Sequence, residues 1–321
     1  MRAVVQDGYG SPDVLHLREI ERPVVTDDRV LVAVRAASVN AADCHLLRVS
    51  LPARVVLGLR APKAPVRGLD LSGHVDAVGE KVTRFKPGDE VLGAARGTFA
   101  EYASATEDRL VAKPPWLTFE QAAALPVAGV TALQGLRDKA RVQPGQRVLI
   151  HGAGGGVGTF AVQIAKALGA HVTAVTGTRN VDLIRSIRPD EVMDYTRDDF
   201  AERGQRYDVF FDIAATRSLR ACLGVLEPRG TFVGAGAAKG SVVAVLTRLL
   251  ASLAVSHVVS QRVVPFMARV SHDDLAVLVG LIEAGKLLPV IDRAYALSEV
   301  PDAMRYVAGG HARAKVVITI G

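Results

Sequence analysis

The feature that most constrains the fold of this chain is a glycine-rich segment that directly follows an apolar run. The segment reads HGAGGGVG over residues 151–158, and Val148–Ile150 precede it. Gly152, Gly155 and Gly158 recur at intervals of three, a spacing that lets a turn tighten and the following helix pack closely on its strand. The pattern predicts a strand, a tight turn and a helix whose first backbone N–H groups can approach a phosphate. A purely structural turn is the alternative.

Alternating strands and helices surround this segment. Runs such as HVTAVTG and YDVFFDIA are each followed by a helical pattern of about 10 to 15 residues, which predicts a parallel, doubly wound sheet. Residues 1–121 instead hold short β-rich runs with frequent Gly and Pro. A chain of 321 residues is long enough for two hydrophobic cores. From the alternation and the β-rich runs, we predict an α/β protein. Its parts are a β-rich domain over 1–121, a Rossmann-fold domain over 122–264, and a tail over 265–321 that does not extend the alternation.

Charge and cysteine content narrow the class of protein. The formal net charge is +6, but Lys and Arg are scattered without a basic run that interleaves with aromatic residues, so we expect no nucleic-acid partner. Cys44 and Cys222 form no CxxC motif, which argues against a disulfide framework or a cysteine-based zinc site. Together with an N-terminus that has no secretory pattern, this favours a cytoplasmic location. The most apolar tract, residues 241–259, contains Arg248 and several polar residues, so we expect no membrane span.

The stretch that follows the second strand of the alternating series predicts which dinucleotide binds. An acidic residue about 20 residues after the glycines would bind the ribose 2′-OH of NAD. Here the stretch reads TGTRN over residues 176–180, and the next acidic residue is Asp182. An arginine favours the 2′-phosphate of NADPH, so Gly177, Thr178 and Arg179 become candidate cofactor residues. The alternative is that Arg179 is a solvated surface residue.

Several motifs together resemble those of the zinc-free quinone oxidoreductases in the medium-chain dehydrogenase/reductase superfamily. They are GQRVLIHGAGGGVGTFAVQIAK at residues 145–166, SVNAAD near residue 40, VAGVTAL, and AKVVITI near the end of the chain. The resemblance implies a GroES-like catalytic domain, formed by residues 1–121 and 265–321, with the active site in the cleft between it and the Rossmann domain. It also implies a homodimer that pairs through the strand near residues 258–264.

The residues depart from the zinc-dependent branch of that superfamily. The position of its Gly-His-Glu motif reads Gly68-Leu69-Asp70, and the lobe region, LGAARGTFAEY, has no cysteine. Catalytic zinc needs three protein ligands and an open position. Cys44, His45 and Asp70 would be at most a remnant of such a set, so we predict no metal.

The resemblance implies hydride transfer from NADPH to a quinone or to the β-carbon of an enone, with the charge carried on the oxygen as an enolate. It places Asn40 beside the nicotinamide and the substrate, where its amide would orient either. His45 is a candidate proton donor because the ordinary pKa of imidazole suits neutral pH. The alternatives are that Asn40 only caps a strand end, that His45 is a partly exposed helix-start residue, and that water supplies the proton.

The resemblance implies further cofactor contacts along the chain. Thr131 would lie near the nicotinamide, Tyr195 near the adenosine phosphate and Lys315 near the phosphate region, although Tyr195 could equally be a packed strand-end aromatic. Two glycines after a later strand would lie near the carboxamide. The candidate cofactor residues are Asn40, Thr131, Gly152, Gly155, Gly156, Val157, Gly158, Gly177, Thr178, Arg179, Tyr195, Gly234, Gly236 and Lys315.

Two apolar segments are expected to select the substrate, residues 46–66 and residues 237–259. Both are rich in Ala, Val and Leu and poor in carboxylates, which predicts a pocket for a hydrophobic quinone or enone. The predicted function is that of an NADPH-dependent, zinc-independent oxidoreductase that reduces quinones or activated C=C bonds. Two alternatives stay open: a biosynthetic enoyl-thioester or carbonyl reductase, and an NADPH-binding protein without turnover.

Overall fold

Two compact units make up this chain in a computed structural model that describes residues 1–49, 54, 58–235, 259–310 and 312–321. The first unit comprises Met1–Val130, Arg269–Gly280 and Pro289–Gly321, and the second comprises Thr131–Ala268 and Leu281–Leu288. The unit limits at Val130 and Ala268 lie a short distance after the predicted domain limits at residues 121 and 264. Gly236, nearly all of segment 237–259 and part of segment 46–66 lie outside the described residues.

The first unit is built on β-strands. Its strands are β1 Arg2–Gln6, β2 Leu15–Glu19, β3 Arg29–Val39, β4 Asp70–Val78, β5 Glu90–Ala94, β6 Tyr102–Thr106, β7 Leu110–Ala112, β14 Ile291–Ala296 and β15 Lys315–Thr319. β1 and β2 form an antiparallel pair. The other strands form one sheet in the order β14-β15-β3-β4-β5-β7, with β6 also paired to β3.

The long strand β3 explains how distant parts of the chain meet in this unit. Most of its residues are apolar, and most are buried because the strand pairs with three others and packs into the core. It pairs antiparallel with β4 and also antiparallel with β15, where Val316 lies opposite Val39. The last strand of the chain therefore lies directly beside an early one.

The second unit holds six parallel strands. They are β8 Arg147–His151, β9 His171–Thr176, β10 Glu191–Asp194, β11 Tyr207–Asp212, β12 Leu226–Gly234 and β13 Arg262–Pro265. Their order in the sheet is β10-β9-β8-β11-β12-β13, which is the 3-2-1-4-5-6 order of Rossmann sheets. The predicted doubly wound, parallel sheet is thus confirmed. The order reverses between β8 and β11, and ligands of such sheets bind at the carboxyl ends of the strands at that point.

Eight α-helices lie in the described part of the chain. They are α1 Ala41–Leu47, α2 Phe119–Ala124, α3 Pro126–Leu133, α4 Gly156–Ala167, α5 Val181–Ser186, α6 Leu219–Gly224, α7 His272–Glu283 and α8 Val300–Ala308. A π-helical segment, Gln134–Ala140, follows α3. None of the helices that the structure describes combines the length and the apolar character that a membrane span requires.

Candidate functional site

A group of buried polar side chains collects in the first unit where β3, β4 and β15 lie side by side. Ser38 near the end of β3 is the register partner of Asp70 at the start of β4. The antiparallel register of β15 on β3 brings Lys315 beside Asn40, which directly follows β3. Asn40 is 8% exposed, Asp70 0% and Lys315 2%. The sequence separates these residues by up to 275 positions, so the sheet register alone assembles them.

The carboxylate of Asp70 is the centre of this group. Its Oδ2 accepts hydrogen bonds from Ser38 Oγ at 2.6 Å, from Asn40 Nδ2 at 2.8 Å and from Lys315 Nζ at 3.3 Å. Its Oδ1 accepts the backbone N–H of Val127 at 2.9 Å. A buried carboxylate is tolerated only when it is paired and hydrogen-bonded, and these four donors satisfy that condition.

The same contacts fix the orientation of the Asn40 amide. Lys315 Nζ donates to Asn40 Oδ1 at 2.8 Å, while Asn40 Nδ2 donates to Asp70 at 2.8 Å. An ammonium has only donors and a carboxylate only acceptors, so the oxygen of the amide must face Lys315 and its nitrogen must face Asp70. One amide hydrogen is used by Asp70. For the second Nδ2 hydrogen, no acceptor lies among the described residues.

Asp43 connects the start of α1 to this group. Asn40 is the residue that precedes α1, and its backbone N–H donates to Asp43 Oδ2 at 2.9 Å. Burial raises the pKa of Asp43 from 3.8 to about 7, although the hydrogen bond from the Asn40 backbone acts in the opposite direction. The nearby carboxylate of Asp70 raises the pKa further. The carboxyl group of Asp43 therefore anchors the backbone at Asn40. Its buried surroundings disfavour the charged form of this carboxyl group.

His45 and Cys44 lie further along α1. His45 is half-buried, and burial lowers its pKa below the ordinary 6.5, so its imidazole is neutral at pH 7. Cys44 Sγ lies 3.7 Å from the carbonyl oxygen and 4.0 Å from Sδ of Met304, and burial raises the pKa of the thiol to about 12. Cys44 thus packs as a protonated thiol. Within the residues that the structure describes, no three His, Cys, Asp or Glu side chains are grouped to hold a metal ion.

The glycine-rich turn of the second unit has one closed side and one open side. Gly152 has a φ of +95°, and a Cβ on it would lie 3.0 Å from the backbone nitrogen of Ala214. A Cβ on Gly158 would lie 2.3 Å from the carbonyl oxygen of Gly152 and 2.5 Å from that of Ala153. A Cβ on Gly155, which directly precedes α4, would meet only the oxygen of Gly152 at 3.7 Å. The turn is thus packed at Gly158 and open at Gly155, a form that fits a dinucleotide pyrophosphate.

The TGTRN turn lies against the same glycine-rich segment. A Cβ on Gly154 would lie 2.4 Å from Asn180 Nδ2 and 2.6 Å from Thr176 Oγ1. On the other side, a Cβ on Gly177 would lie 3.1 Å from the phenol oxygen of Tyr195, whose side chain is largely exposed. The structure thereby brings Gly177, Thr178, Arg179 and Tyr195 together, because Thr178–Asn180 form one short 3-10 helix after Gly177.

One acidic residue, Asp194, lies at the end of β10 near this turn. Its Oδ1 accepts the backbone N–H of Thr196 at 3.0 Å and the Thr196 hydroxyl at 2.8 Å. A hydrogen bond from Thr178 is the largest cause that lowers the pKa of Asp194. The carboxylate of Asp194 therefore holds two threonines of the turn region, Thr178 and Thr196.

Sequence reasoning missed a buried pair at the carboxyl ends of β8 and β11. His151 Nδ1 lies 2.9 Å from Asp212 Oδ1, and Asp212 Oδ1 also accepts the backbone N–H of Ala215 at 3.0 Å. Thr216 Oγ1 lies 3.3 Å from His151 Nε2. A signal was present, because a single polar residue ends each of two apolar strands that a Rossmann sheet places side by side. The pair ties the end of β8, where the glycine-rich turn begins, to the neighbouring strand.

The remaining sequence-predicted residues occupy separate places. Gly156 and Val157 are the first residues of α4, Thr131 lies in α3, and Gly234 ends β12. Gly236 lies outside the described residues. The buried ammonium of Lys315 donates hydrogen bonds to Asn40 and Asp70, and its predicted contact with the phosphate region stays a prediction.

Comparison with known proteins gives consistent matches over the whole chain. The family model of the alcohol dehydrogenase GroES-like domain matches residues 26–115, and the model described as zinc-binding dehydrogenase matches residues 189–318. A chloroplastic quinone-oxidoreductase homolog from Spinacia oleracea is 34% identical, covering 99% of this chain and 98% of the relative. The first of these models confirms the predicted GroES-like character of the β-rich half.

Two further proteins extend the comparison. A chloroplastic NADPH-dependent alkenal/one oxidoreductase from Arabidopsis thaliana is 32% identical, with coverage of 99% of this chain and 79% of the relative. The structure of a quinone oxidoreductase from Coxiella burnetii is 29% identical with a TM-score of 0.88, and the match covers 100% of this chain and 99% of that one. The resemblance stated from the motifs is thereby confirmed.

Proposed function

Because the chain belongs to the zinc-free quinone oxidoreductases of the medium-chain dehydrogenase/reductase superfamily, we propose that this oxidoreductase uses NADPH, in preference to NADH, to reduce quinones or activated C=C bonds. The observation that carries the proposal is the glycine-rich turn, which is closed at Gly158 and open at Gly155. The names of its relatives, a quinone-oxidoreductase homolog and an alkenal/one oxidoreductase, support the substrate class.

The preference for NADPH rests on the turn that follows β9. Gly177, Thr178, Arg179 and Tyr195 lie together there, and the nearby carboxylate of Asp194 is held by Thr178 and Thr196. A guanidinium and hydroxyl donors suit a 2′-phosphate, whereas NADH recognition uses a carboxylate that accepts from the ribose hydroxyls.

The reaction needs a hydride donor and a group that stabilises negative charge on the substrate oxygen. NADPH supplies the hydride when it is bound. Asn40 supplies an N–H donor that hydrogen-bonds the oxygen on which charge develops, or the carboxamide of the nicotinamide ring. The proton comes from His45 or from water. Since burial lowers the pKa of His45, its imidazolium form is populated only in acidic solution.

The test is oxidation of NADPH and NADH by the purified protein with a para-quinone, an ortho-quinone, an α,β-unsaturated ketone, an enoyl thioester and a saturated aldehyde. We expect turnover with a quinone or the ketone, and a kcat/KM at least about tenfold higher with NADPH than with NADH, as expected for one charge-assisted contact. Sole turnover of the enoyl thioester would favour the biosynthetic reductase. Tight NADPH binding without turnover of any compound would reject an enzymatic role on these substrates.

We also propose a homodimer. β13 is an edge strand of the six-stranded sheet and, within the described residues, pairs with β12 alone. An edge strand offers unpaired backbone groups to a second copy of the chain. Light scattering after size exclusion should give twice the 34.0 kDa of the chain. A monomer at tens of micromolar would refute the proposal.

A cytoplasmic location is a further proposal. It rests on the two cysteines, Cys44 and Cys222, which are not joined in a disulfide, because cysteines that stay reduced suit a reducing compartment. Fractionation of the producing cells with an antibody to the protein is the test, and recovery in an oxidising compartment would contradict it.

A further inference from the structure

The orientation of the Asn40 amide decides which kind of hydrogen bond this residue offers to a ligand. A side-chain amide that rotates by half a turn exchanges an N–H donor for a carbonyl acceptor. A donor stabilises negative charge that develops on a substrate oxygen, whereas a carbonyl in the same place repels it. The proposed reaction therefore requires one amide orientation and is opposed by the other.

We propose that Lys315 and Asp70 are positioning residues that lock the Asn40 amide, so that its remaining N–H, and not its carbonyl oxygen, is offered to the reacting ligand. This inference rests on the proposed function. Lys315 holds Oδ1 at 2.8 Å and Asp70 holds Nδ2 at 2.8 Å. In the flipped amide, the NH₂ group would face the ammonium and the oxygen would face the carboxylate, so both contacts would become repulsive.

The network also holds the two positioning groups themselves. Asp70 is fixed by Ser38 and by the backbone N–H of Val127, and the ammonium of Lys315 lies 3.3 Å from the same carboxylate oxygen. The amide is therefore clamped between two groups that are themselves held by hydrogen bonds. Restricting a donor in this way removes the cost of orienting it during the reaction.

A second buried lysine in the same unit shows what a purely structural lysine looks like. Lys113 Nζ donates to the carbonyl oxygens of Pro114 at 3.0 Å and Leu117 at 2.7 Å and pairs with Glu90 at 2.9 Å. Its contacts tie a loop together. The contacts of Lys315 are instead to two side chains, and one of these is Asn40. A buried ion pair is a costly way to stabilise a core, which favours a role for Lys315 beyond packing.

The first test observes the amide directly, without turnover. The chain contains two asparagines, Asn40 and Asn180, so selective labelling with side-chain ¹⁵N-asparagine gives two NH₂ groups in an NMR spectrum, which Asn40→Ala assigns. We expect the Asn40 protons to be well separated in shift and slow to exchange with water. In Lys315→Met, the two shifts should converge and exchange should accelerate, while Lys113→Met should leave the Asn40 signals unchanged.

The second test asks whether the lock matters for the reaction. Loss of orientation at a reacting centre costs up to about 100-fold in rate, so Lys315→Met should lower kcat by about 10- to 100-fold with a smaller change in the KM for the quinone. In a double-mutant cycle, adding Lys315→Met to Asn40→Ala should cause little further loss, because the lysine acts through the amide that is already gone. Lys113→Met should lower the melting temperature but keep kcat within about threefold.

Removing one charge leaves the other unpaired, so Lys315→Met alone risks misfolding. Lys315→Met combined with Asp70→Asn removes both charges at nearly constant volume. The new amide at position 70 can donate or accept, so it no longer selects one orientation of Asn40. We expect this folded double variant to show the same converged NMR signals and the same fall in kcat.

The outcomes distinguish the locked orientation of the Asn40 amide, its role in positioning, and the proposed enzymatic function. Unchanged Asn40 signals in the folded variants would overturn the lock, whatever the enzyme reduces. Changed signals with wild-type kcat, or losses that add fully in the cycle, would overturn the positioning role. A wild-type protein that turns over no compound of the panel would instead reject the proposed function, and the NMR result would still decide the lock.

Discussion

The two sides of the glycine-rich turn should respond differently to the same substitution. Gly155 has φ −91° and ψ 176°, which alanine adopts without strain, and its Cβ would meet only one atom, at 3.7 Å. A Cβ on Gly158 would lie 2.3 Å from a backbone oxygen of Gly152, and the two atoms would have to separate by about 1 Å to reach ordinary contact. Gly155→Ala therefore probes the ligand side of the turn, and Gly158→Ala probes its packing.

The expected magnitudes follow from these distances. Gly155→Ala should leave the free energy of unfolding unchanged or raise it by up to about 1 kcal/mol, because alanine restricts the unfolded chain. The methyl group occupies the open side, where phosphate oxygens would meet backbone N–H groups at about 2.9 Å. Loss of such a charge-assisted contact costs about 1 to 3 kcal/mol, or about 5- to 150-fold in NADPH affinity. Gly158→Ala should lower the free energy of unfolding by about 1 to 3 kcal/mol through overpacking.

Two assays and one control separate these effects. Urea unfolding without cofactor gives the stabilities, and titration of NADPH fluorescence gives the affinities. Gly224→Ala is the control, because it also lies in the second unit and its Cβ would have no neighbour within 4 Å. If Gly155→Ala binds NADPH as tightly as the wild type, the open side of the turn is not the pyrophosphate site. If Gly158→Ala is as stable as the control, α4 does not pack closely on the turn at Gly158.

Three further predictions concern single side chains. Arg179→Ala should weaken NADPH binding by about 1 to 3 kcal/mol and leave NADH binding nearly unchanged in the same fluorescence titration; equal losses would remove Arg179 from the phosphate site. The pKa of Asp43 is raised to about 7, so the native state keeps a proton that the unfolded state releases above 3.8, and stability falls as pH rises through this window. Between pH 5 and pH 8, the free energy of unfolding should fall by at most about 3 kcal/mol. In urea unfolding, Asp43→Asn should abolish this pH dependence. An unaltered pH dependence in the variant would contradict the raised pKa of Asp43. His45→Gln should lower kcat in acidic solution and match the wild type above about pH 6.5, since burial lowers the pKa of the imidazole, and a constant difference across the pH profile would exclude proton donation by this ring.

Local sequence patterns predict the central strands of the second unit, β8, β9, β11 and β12. The alternation of apolar runs with helical patterns predicts parallel strands, and the handedness of crossover connections restricts their order. The glycine spacing predicts the turn after β8. Gly158 packs on the backbone of Gly152, six residues earlier, whereas Gly152 packs on Ala214 of a distant segment. Contacts between residues that are close in the chain, such as that of Gly158 with Gly152, can be predicted from a local motif.

The groups that the sequence did not reveal are those that depend on register between distant strands. Asp70 and Lys315 are 245 residues apart, and no local pattern shows that an antiparallel pairing of β15 with β3 places the lysine beside Asn40. The register directs the ammonium of Lys315 to Asn40 and Asp70, two contacts that the family resemblance did not imply. His151 and Asp212 are joined in the same way, by the pairing of β8 with β11.

The pairing of Lys315 with Asp70 also limits what the lysine can contribute to the reaction. A lone buried ammonium would attract negative charge on a substrate oxygen strongly, because the effective dielectric constant is low. Here a carboxylate oxygen lies 3.3 Å from Nζ, so the two charges largely cancel at distances greater than their separation. What remains for the ligand is a fixed dipole, the N–H of Asn40, held in one orientation by both charges. The pair therefore acts chiefly by orienting the amide, and its removal should be felt through Asn40 rather than through the loss of a positive charge.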